Sequence, residues 1–458
     1  MQDFTDKKIT VLGCARSGIA VAKLLRNANA EVLVSELQSD KNFEGEKRVF
    51  EIEGINYEFG GHTDKVLESD FIVVSPGIPD KIQILQKALK KGIPLYSEIE
   101  IASQFCEAPI VAITGSNGKT TTTSMLGKIF EKAEIPCVVA GNIGLAFSEV
   151  VHKVRRKGVA IIEVSSFQLE RIAKFKPKVA MLLNLTPDHL DRYASFIDYV
   201  KAKKQIFKNL DEDDFFIYNF DDSIVAQAAL ETVAKKVPFS SRQNLVDGLM
   251  VVEDNVAIST DNQKRLFCNK NEIGIKGEHN LLNALAAISV AKIFEIPEEK
   301  IVEGLKEFKG VEHRLEGVAT INGIEFINDS KATNVDSVWW ALGSFDKPLT
   351  LIAGGKDKGV DFERLKEVVN KRVKNLILLG ETANKLKKDL GSYVKGEVLK
   401  VETMHEAVRK AFELASEDEI VLLSPACSSF DMYENFEMRG KDFKNEVQLL
   451  VKEFGKNG

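Results

Sequence analysis

The chain has 458 residues, 44% hydrophobic and 28% charged, with 62 Lys plus Arg against 68 Asp plus Glu and a formal charge of −6. That length suits about three domains, and the apolar fraction is enough to bury cores, which excludes a disordered or fibrous chain. The mild acidity argues against a dedicated nucleic-acid binder, and five widely spaced cysteines, Cys14, Cys106, Cys137, Cys268 and Cys427, suit a reducing compartment better than a disulfide framework or a zinc site.

Residues 8–13, KITVLG, form a β-branched run ending in glycine. Gly13-Cys-Ala-Arg-Ser-Gly18 follows, then a helical stretch, IAVAKLLRNA, and a second strand, EVLVSE, at 31–36. A strand, turn, helix and strand closed by an acid is the start of a dinucleotide fold. Ala15 stands where GxGxxG has its middle glycine, so the turn suits either a bound nucleotide or a plain βαβ crossover. FIVVSPGIP at 71–79 predicts a further strand, and KGIPLYSEIE at 91–100 the exit from this section, with a boundary near Ser97. A second section opens with PIVAIT at 109–114, passes GSNGKTTTT into a helix through Phe130, and has strands at 159–166 and 179–185. From about 273 a loop enters a long Ala-rich helix. A third section, from near Gly310, has strands at 323–329, 349–355, 375–380 and 419–425 with helical segments between them. Such alternation predicts an α/β fold of parallel sheets covered on both faces, with ligands beyond the carboxyl ends of the strands. GSNGKT, Glu163, NDSKAT, AGGKDKG and SPACSS all fall at those ends.

Gly115-Ser116-Asn117-Gly118-Lys119-Thr120-Thr121 lies between an apolar strand and a helix, where backbone N–H groups and the helix dipole cradle phosphate. In such a loop the lysine reaches the outer phosphates and the hydroxyl of Thr120 binds Mg²⁺. The loop is a shortened variant, because Ile113 stands where the general motif has its first glycine. Glu163 lies inside the apolar strand IIEVSS, where a buried carboxylate needs a metal ion or a core Arg or Lys. Its strand follows the phosphate-loop helix, as does the acidic residue that completes a Mg²⁺ site in P-loop enzymes. His189, in TPDHLDRY, is a further ligand or a structural histidine. In FIDYVKAKKQIF at 196–207, helical spacing puts Phe196, Tyr199, Ile206 and Phe207 on one face and Lys201, Lys204 and Lys208 on the other, with Lys203 inside the apolar arc. An amine there is deprotonated, paired, chemically modified, or reaches water along its stem.

Taken together, GSNGKTTT, EVSSFQLE, NLTPDHLDRY, YVKAK, GEHNLLNALAA, EHRLE, NDSKATN and SPACSSFDMYENFEMRG resemble the ATP-dependent Mur ligases over nearly the whole chain. SSFQLE, NDSKATN and SPACSSFD resemble the D-glutamate-adding branch, whereas the phosphate loop is shared with folylpolyglutamate synthases. The resemblance implies three domains: a Rossmann-like N-terminal domain for a UDP-sugar (1–97), a central P-loop ATPase-type α/β domain (98–309) and a Rossmann-like C-terminal domain for the amino acid (310–458). It implies ATP-dependent addition of D-glutamate to UDP-N-acetylmuramoyl-L-alanine through an acyl phosphate, a step of bacterial peptidoglycan synthesis. A cytoplasmic monomer without nucleic-acid or membrane partners is expected, in keeping with the lack of an apolar run near ~18 residues or of a signal-peptide core at the start. By resemblance, Gly115, Asn117, Gly118, Lys119, Thr120, Thr121, Asn283, Arg314 and Asp329 contact ATP. Thr120, Glu163, His189 and Lys203 serve Mg²⁺, expected as two ions, with Lys203 carbamylated by CO₂; Lys119, Glu163, His189 and Lys203 are the catalytic set. Lys331, Thr333, Lys358, Ser429 and Phe436 match the D-glutamate pocket, and Ser17, Glu36, Gly77 and Asn142 the UDP-muramoyl side. The chain departs from the pattern at Ser35-Glu36-Leu37, which lacks the Asp-Thr or Asp-Arg neighbours near the uracil, and in offering Lys356 beside Lys358.

Overall fold

The computed structural model describes residues 3–188, 192–357, 359 and 361–454. They gather into two compact units, Met1–Gly274 with Asn280–Phe308, and Ile275–His279 with Lys309–Gly458.

The first unit holds two sheets. Strands β1 (Lys8–Leu12), β2 (Glu31–Glu36), β3 (Asn56–Phe59), β4 (Phe71–Val74) and β5 (Leu95–Tyr96) lie in the order β3-β2-β1-β4-β5 and are all parallel. The order reverses between β1 and β4, which places a ligand crevice at the loops that follow them. Glycine is required at both ends of the turn after β1. Gly13 has φ 94°, and a Cβ on Gly18 would lie 2.1 Å from the Gly13 carbonyl oxygen. Ala15 is exposed and extended, with φ −86°, ahead of the helix Arg16–Asn27, so the missing middle glycine costs the turn nothing.

The second sheet comprises β6 (Ile110–Thr114), β7 (Cys137–Gly141), β8 (Val159–Glu163), β9 (Val179–Leu182), β10 (Phe215–Asn219), β11 (Lys235–Ser240), β12 (Gly248–Val252), β13 (Asn255–Thr260) and β14 (Gln263–Asn269). Their order is β14-β13-β12-β11-β10-β9-β6-β8-β7. The expectation of wholly parallel sheets does not hold at its edge, where β12, β13 and β14 form an antiparallel meander. Asp261 and Asn262, at φ 51° and 63°, supply the two-residue turn whose twist matches a hairpin.

The second unit has one sheet of β15 (Glu316–Ile321), β16 (Ile324–Asn328), β17 (Leu349–Ala353), β18 (Val373–Leu378), β19 (Val398–Lys400) and β20 (Ile420–Leu423), ordered β15-β16-β20-β17-β18-β19. Here too one pair, β15 and β16, is antiparallel, joined by Asn322-Gly323 at φ 50° and 76°. One face is covered by a core including Val338, Leu342, Phe362 and Leu386, the other by one including Met404, Ala407, Phe443 and Val447. Among the described residues no helix is long and apolar enough to cross a membrane.

Candidate active site

The buried strand β6 delivers the chain into the phosphate loop. Gly118 caps the helix Lys119–Lys132 at φ 84°, and a Cβ there would lie 2.3 Å from Asn283 Oδ1, so the loop's glycine and the Asn283 side chain need each other's shape. Asn184, just beyond β9, braces the loop. Its Oδ1 accepts from the Asn117 amide at 2.8 Å and its Nδ2 donates to the Asn117 carbonyl at 3.0 Å. Ser116 Oγ lies 2.9 Å from the Thr186 carbonyl, to which it donates, and 3.0 Å from the Tyr199 hydroxyl. Lys119 Nζ donates to the Gly115 and Ser116 carbonyls, each at 2.8 Å, while Thr120 and Thr121 are buried in the first helical turn.

Glu163 closes β8 next to β6 and is 1% exposed. Its Oε1 accepts from Asn142 Nδ2 at 2.9 Å, and the Asn142 amide donates to the Glu163 carbonyl at 2.9 Å. Asn142, expected on the UDP-muramoyl side, is thus fastened to the candidate metal ligand. Glu163 Oε2 is buried and receives no hydrogen bond among the described residues. An acceptor left unsatisfied in a dry site carries a desolvation penalty that a cation would remove, so the residues present fit a hard divalent ion.

Lys203, on the helix Phe196–Lys204, is 2% exposed. Its Nζ lies 3.3 Å from Thr114 Oγ1 and 4.9 Å from the centre of the Tyr199 ring. Burial, and then the charge of Lys119, push the Lys203 amine well below its ordinary range, against the opposing pull of Asp188 and Glu163. A lysine amine desolvated in this way gives up its proton more readily than an exposed one. Lys201 is exposed beside Asp198 and Lys204 pairs with Glu231, so of these three lysines it is Lys203, in the apolar arc, that is buried. His189 lies outside the described residues.

At the first sheet, Ser17 sits in the first turn of the helix after β1, Glu36 ends β2, and Gly77 is exposed in the loop after β4. Glu36 is spent partly on the chain itself, accepting from the Cys14 amide at 2.9 Å and the Gln38 amide at 3.0 Å.

In the second unit, Asp329 follows β16 and is 1% exposed. Its Oδ2 accepts from Ser424 Oγ at 2.8 Å and its Oδ1 from the Leu315 amide at 3.3 Å. Burial pushes its carboxyl up to about 6, against the pull of Arg314 and of the Ser424 bond. Burial and Arg314 together push His279 down to about 4. The Lys331 amine lies 4.7 Å from the Phe436 ring centre, the Thr333 amide donates to the Lys331 carbonyl at 2.9 Å, and Ser429 is buried. Lys356 pairs with Glu381 at 2.8 Å; Lys358 lies outside the described residues. Glu312, His313 and Glu316 converge, but Lys444 bridges the two carboxylates at 2.8 and 2.7 Å and supplies the positive charge there.

The raised Asp329 carboxyl makes a stability prediction. A carboxyl with a folded value above its unfolded one contributes stability that is fully present below the unfolded value and is lost as pH rises through the folded value. The window is therefore from the ordinary 3.8 up through about 6. Both tryptophans, Trp339 and Trp340, report on the second unit. From pH 4 to pH 8 their urea midpoint should fall more in the unaltered protein than in Asp329→Asn; a constant offset between the two would remove the ionisation argument.

Sequence reasoning missed Asn184, Thr114 and Arg439. Arg439 is 2% exposed, donates from Nε to Ser330 Oγ at 3.0 Å and from Nη2 to the carbonyls of Ser330 and Cys427 at 2.9 and 3.1 Å, and so ties NDSKAT to SPACSS. The one available signal was a polar residue at the end of a buried strand, which Asn184 and Thr114 share.

Residues 8–83 match the MurD N-terminal domain, 113–291 the Mur ligase middle domain, and 313–427 the Mur ligase glutamate ligase domain. The chain belongs to the Mur ligase family. Solved structures similar in fold include a pseudomurein peptide ligase type C from Methanothermus fervidus (TM-score 0.61, 21% identity, 97% of this chain and 100% of that one). Another is the UDP-N-acetylmuramate-alanine ligase MurC from Thermotoga maritima (TM-score 0.61, 18% identity, 97% and 100%). Within the family it falls in the branch named UDP-N-acetylmuramoylalanine–D-glutamate ligase. Relatives of that name include those of Salinibacter ruber, 44% identical over 97% of this chain and 98% of its own length, and Clostridioides difficile, 41% identical over 98% and 100%.

Proposed function

We propose that this chain is an ATP-dependent amide ligase that joins D-glutamate to UDP-N-acetylmuramoyl-L-alanine in the bacterial cytoplasm, with residues 1–97 taking the UDP-sugar, 98–309 ATP and 310–458 the amino acid. The observation that carries this reading is the convergence of the phosphate loop, the half-satisfied Glu163 carboxylate and the buried Lys203 amine at the ends of β6 and β8. A carboxylate is a poor acyl donor. Its oxygen attacks the γ-phosphorus of ATP, ADP leaves, and an acyl phosphate forms. The amine of D-glutamate then attacks the acyl carbon, the bond to phosphate breaks, and the nitrogen gives up a proton.

Each residue has a share in this. Lys119 exchanges the Gly115 and Ser116 carbonyls for the outer phosphates, offsetting the charge gathered on the transferring group. The loop amides and the dipole of the helix Lys119–Lys132 hold the remaining phosphate oxygens. The deprotonated form of Lys203, which burial favours, bonds through its nitrogen to the carbon of CO₂ and loses a proton, giving an anionic oxygen donor. Thr120, Glu163, His189 and that carbamate would hold Mg²⁺, which when bound neutralises phosphate charge. Asn142 keeps Glu163 oriented. Asn283, Arg314 and Asp329 serve the nucleotide, and Lys331, Thr333, Lys358, Ser429 and Phe436 a dicarboxylate, for which cations and a hydroxyl are suited. Ser17, Glu36 and Gly77 serve the UDP-muramoyl group.

ADP release should require UDP-N-acetylmuramoyl-L-alanine and D-glutamate together, with L-glutamate, lysine and diaminopimelate failing to substitute. Equal turnover with a tetrahydrofolate acceptor would move the chain to the folylpolyglutamate type. Phosphate release indifferent to any acceptor would make it an NTPase.

A further inference from the structure

The loop after β4 forms one wall of the crevice in the first sheet, and it packs closely on the other. A Cβ added to Gly13 would meet Ser75 Oγ at 2.9 Å. This loop is also held by charge to the second sheet's loops. Asp80 pairs with Arg171, which is 8% exposed and follows the helix Ser166–Leu169 beyond β8. Asp80 also lies 3.7 Å from Arg192 Nη2. Arg192, just ahead of the helix that carries Lys203, donates from Nη1 to the Pro76 carbonyl at 2.8 Å, has Glu170 at 3.6 Å, and lies over the Phe167 ring at 3.9 Å. Two guanidiniums and two carboxylates thus close around Pro76–Asp80. The turn that bears Arg171 is itself pinned. The buried Glu100 carboxylate accepts from the amides of Ala173, Lys174 and Phe175 at 2.8–3.0 Å, and the Ser97 amide donates to the Arg171 carbonyl at 2.9 Å.

We propose that Asp80 is a positioning residue for the UDP-sugar. Through Arg171 and Arg192 it seats the crevice wall Pro76–Asp80 on the loops that lead from Glu163 and toward Lys203, so a substrate anchored in the first crevice presents its far end to the phosphate loop. The assignment rests on the ligase reading above. Its physical basis is preorganisation, because a wall already fixed in place loses less freedom when ligand binds. Without the Asp80 carboxylate, Arg171 loses its ion-pair partner on the wall and Arg192 keeps only Glu170 to offset its charge. Among the contacts named, the wall is then held to these loops by the Arg192 bond to the Pro76 carbonyl alone. Asp80 is 53% exposed and belongs to no proposed catalytic or binding set, so the chemical step does not need it.

In Asp80→Asn the KM for UDP-N-acetylmuramoyl-L-alanine should rise about fivefold, the scale of one partly exposed ion pair. kcat and the KM values for ATP and D-glutamate should stay within about twofold, and Asp80→Glu should restore the UDP-sugar KM. Calorimetry with UDP alone should show the same weakening and the same rescue. An unchanged UDP-sugar KM, an equal rise in all three KM values, or failure of Asp80→Glu to rescue would overturn the proposal. If the unaltered enzyme turned over no UDP-muramoyl substrate while UDP binding still followed Asp80, the ligase reading would fall and the positioning role would stand.

Discussion

Alanine at Lys119 is expected to lower ADP formation on the order of 10³-fold, the scale of losing a cation that stabilises a transferring phosphoryl group. Folding should be little affected. Lys119 opens the helix Lys119–Lys132, its ammonium donates to the Gly115 and Ser116 carbonyls, and alanine is at least as good a helix former. The loop has other braces, chiefly Asn184 on Asn117 and Ser116 on Thr186, and these do not involve the lysine. Far-ultraviolet circular dichroism and the thermal midpoint, measured with turnover, separate the two effects. Near-normal turnover by a folded variant would take Lys119 out of the ATP chemistry.

Replacing Lys203 should lower activity by roughly 10²-fold or more, on the scale of losing one electrostatic contributor to the transition state. Removing a side chain that is 2% exposed also leaves a cavity, with a stability loss of about 2–3 kcal/mol for Lys203→Ala. The assay therefore belongs well below that variant's unfolding temperature. Acetate or formate should partly restore Lys203→Ala by filling the vacated space with a carboxylate. Lys203→Met, which keeps the bulk and leaves no such space, should stay inactive with or without the acids. Alanine at Lys201 or Lys204 should change turnover less than about twofold, since their partners are the surface acids Asp198 and Glu231. Full activity of Lys203→Ala in CO₂-free buffer, or a high-resolution map with an unmodified amine away from metal, would refute the carbamate.

The helix of residues 196–207 illustrates what is legible without coordinates. Burial of one helix face is a local periodic property, so spacing alone sets Lys203 apart from Lys201 and Lys204. The phosphate loop is legible for a similar reason: Gly118 must take a positive φ at the entry to a helix, and few residue types can. The antiparallel edge β12–β14 was missed because no helical segment separates its strands and β14, QKRLFCN, is largely exposed and lacks the apolar run of a buried strand.

Strand order and register decided the rest. Asn142 and Glu163 meet because β7 pairs with β8 in parallel, Gly141 beside Glu163, a register invisible from either strand alone. Glu163 stands beside Ile113, two residues ahead of the phosphate loop's Gly115, because β8 lies next to β6 rather than at an edge. Arg439 reaches Ser330 across 109 residues of sequence, and Asp80 reaches Arg171 across 91. The sequence by itself determined the alternation of strands with helices, the Gly-rich turn between β6 and the helix Lys119–Lys132, and which lysine falls within a helix's apolar arc, because backbone conformation and periodicity depend on near neighbours. The partner of each buried charge was decided only by the tertiary structure, because a charge removed from water is compensated by whatever group the packing of distant strands brings within a few ångströms.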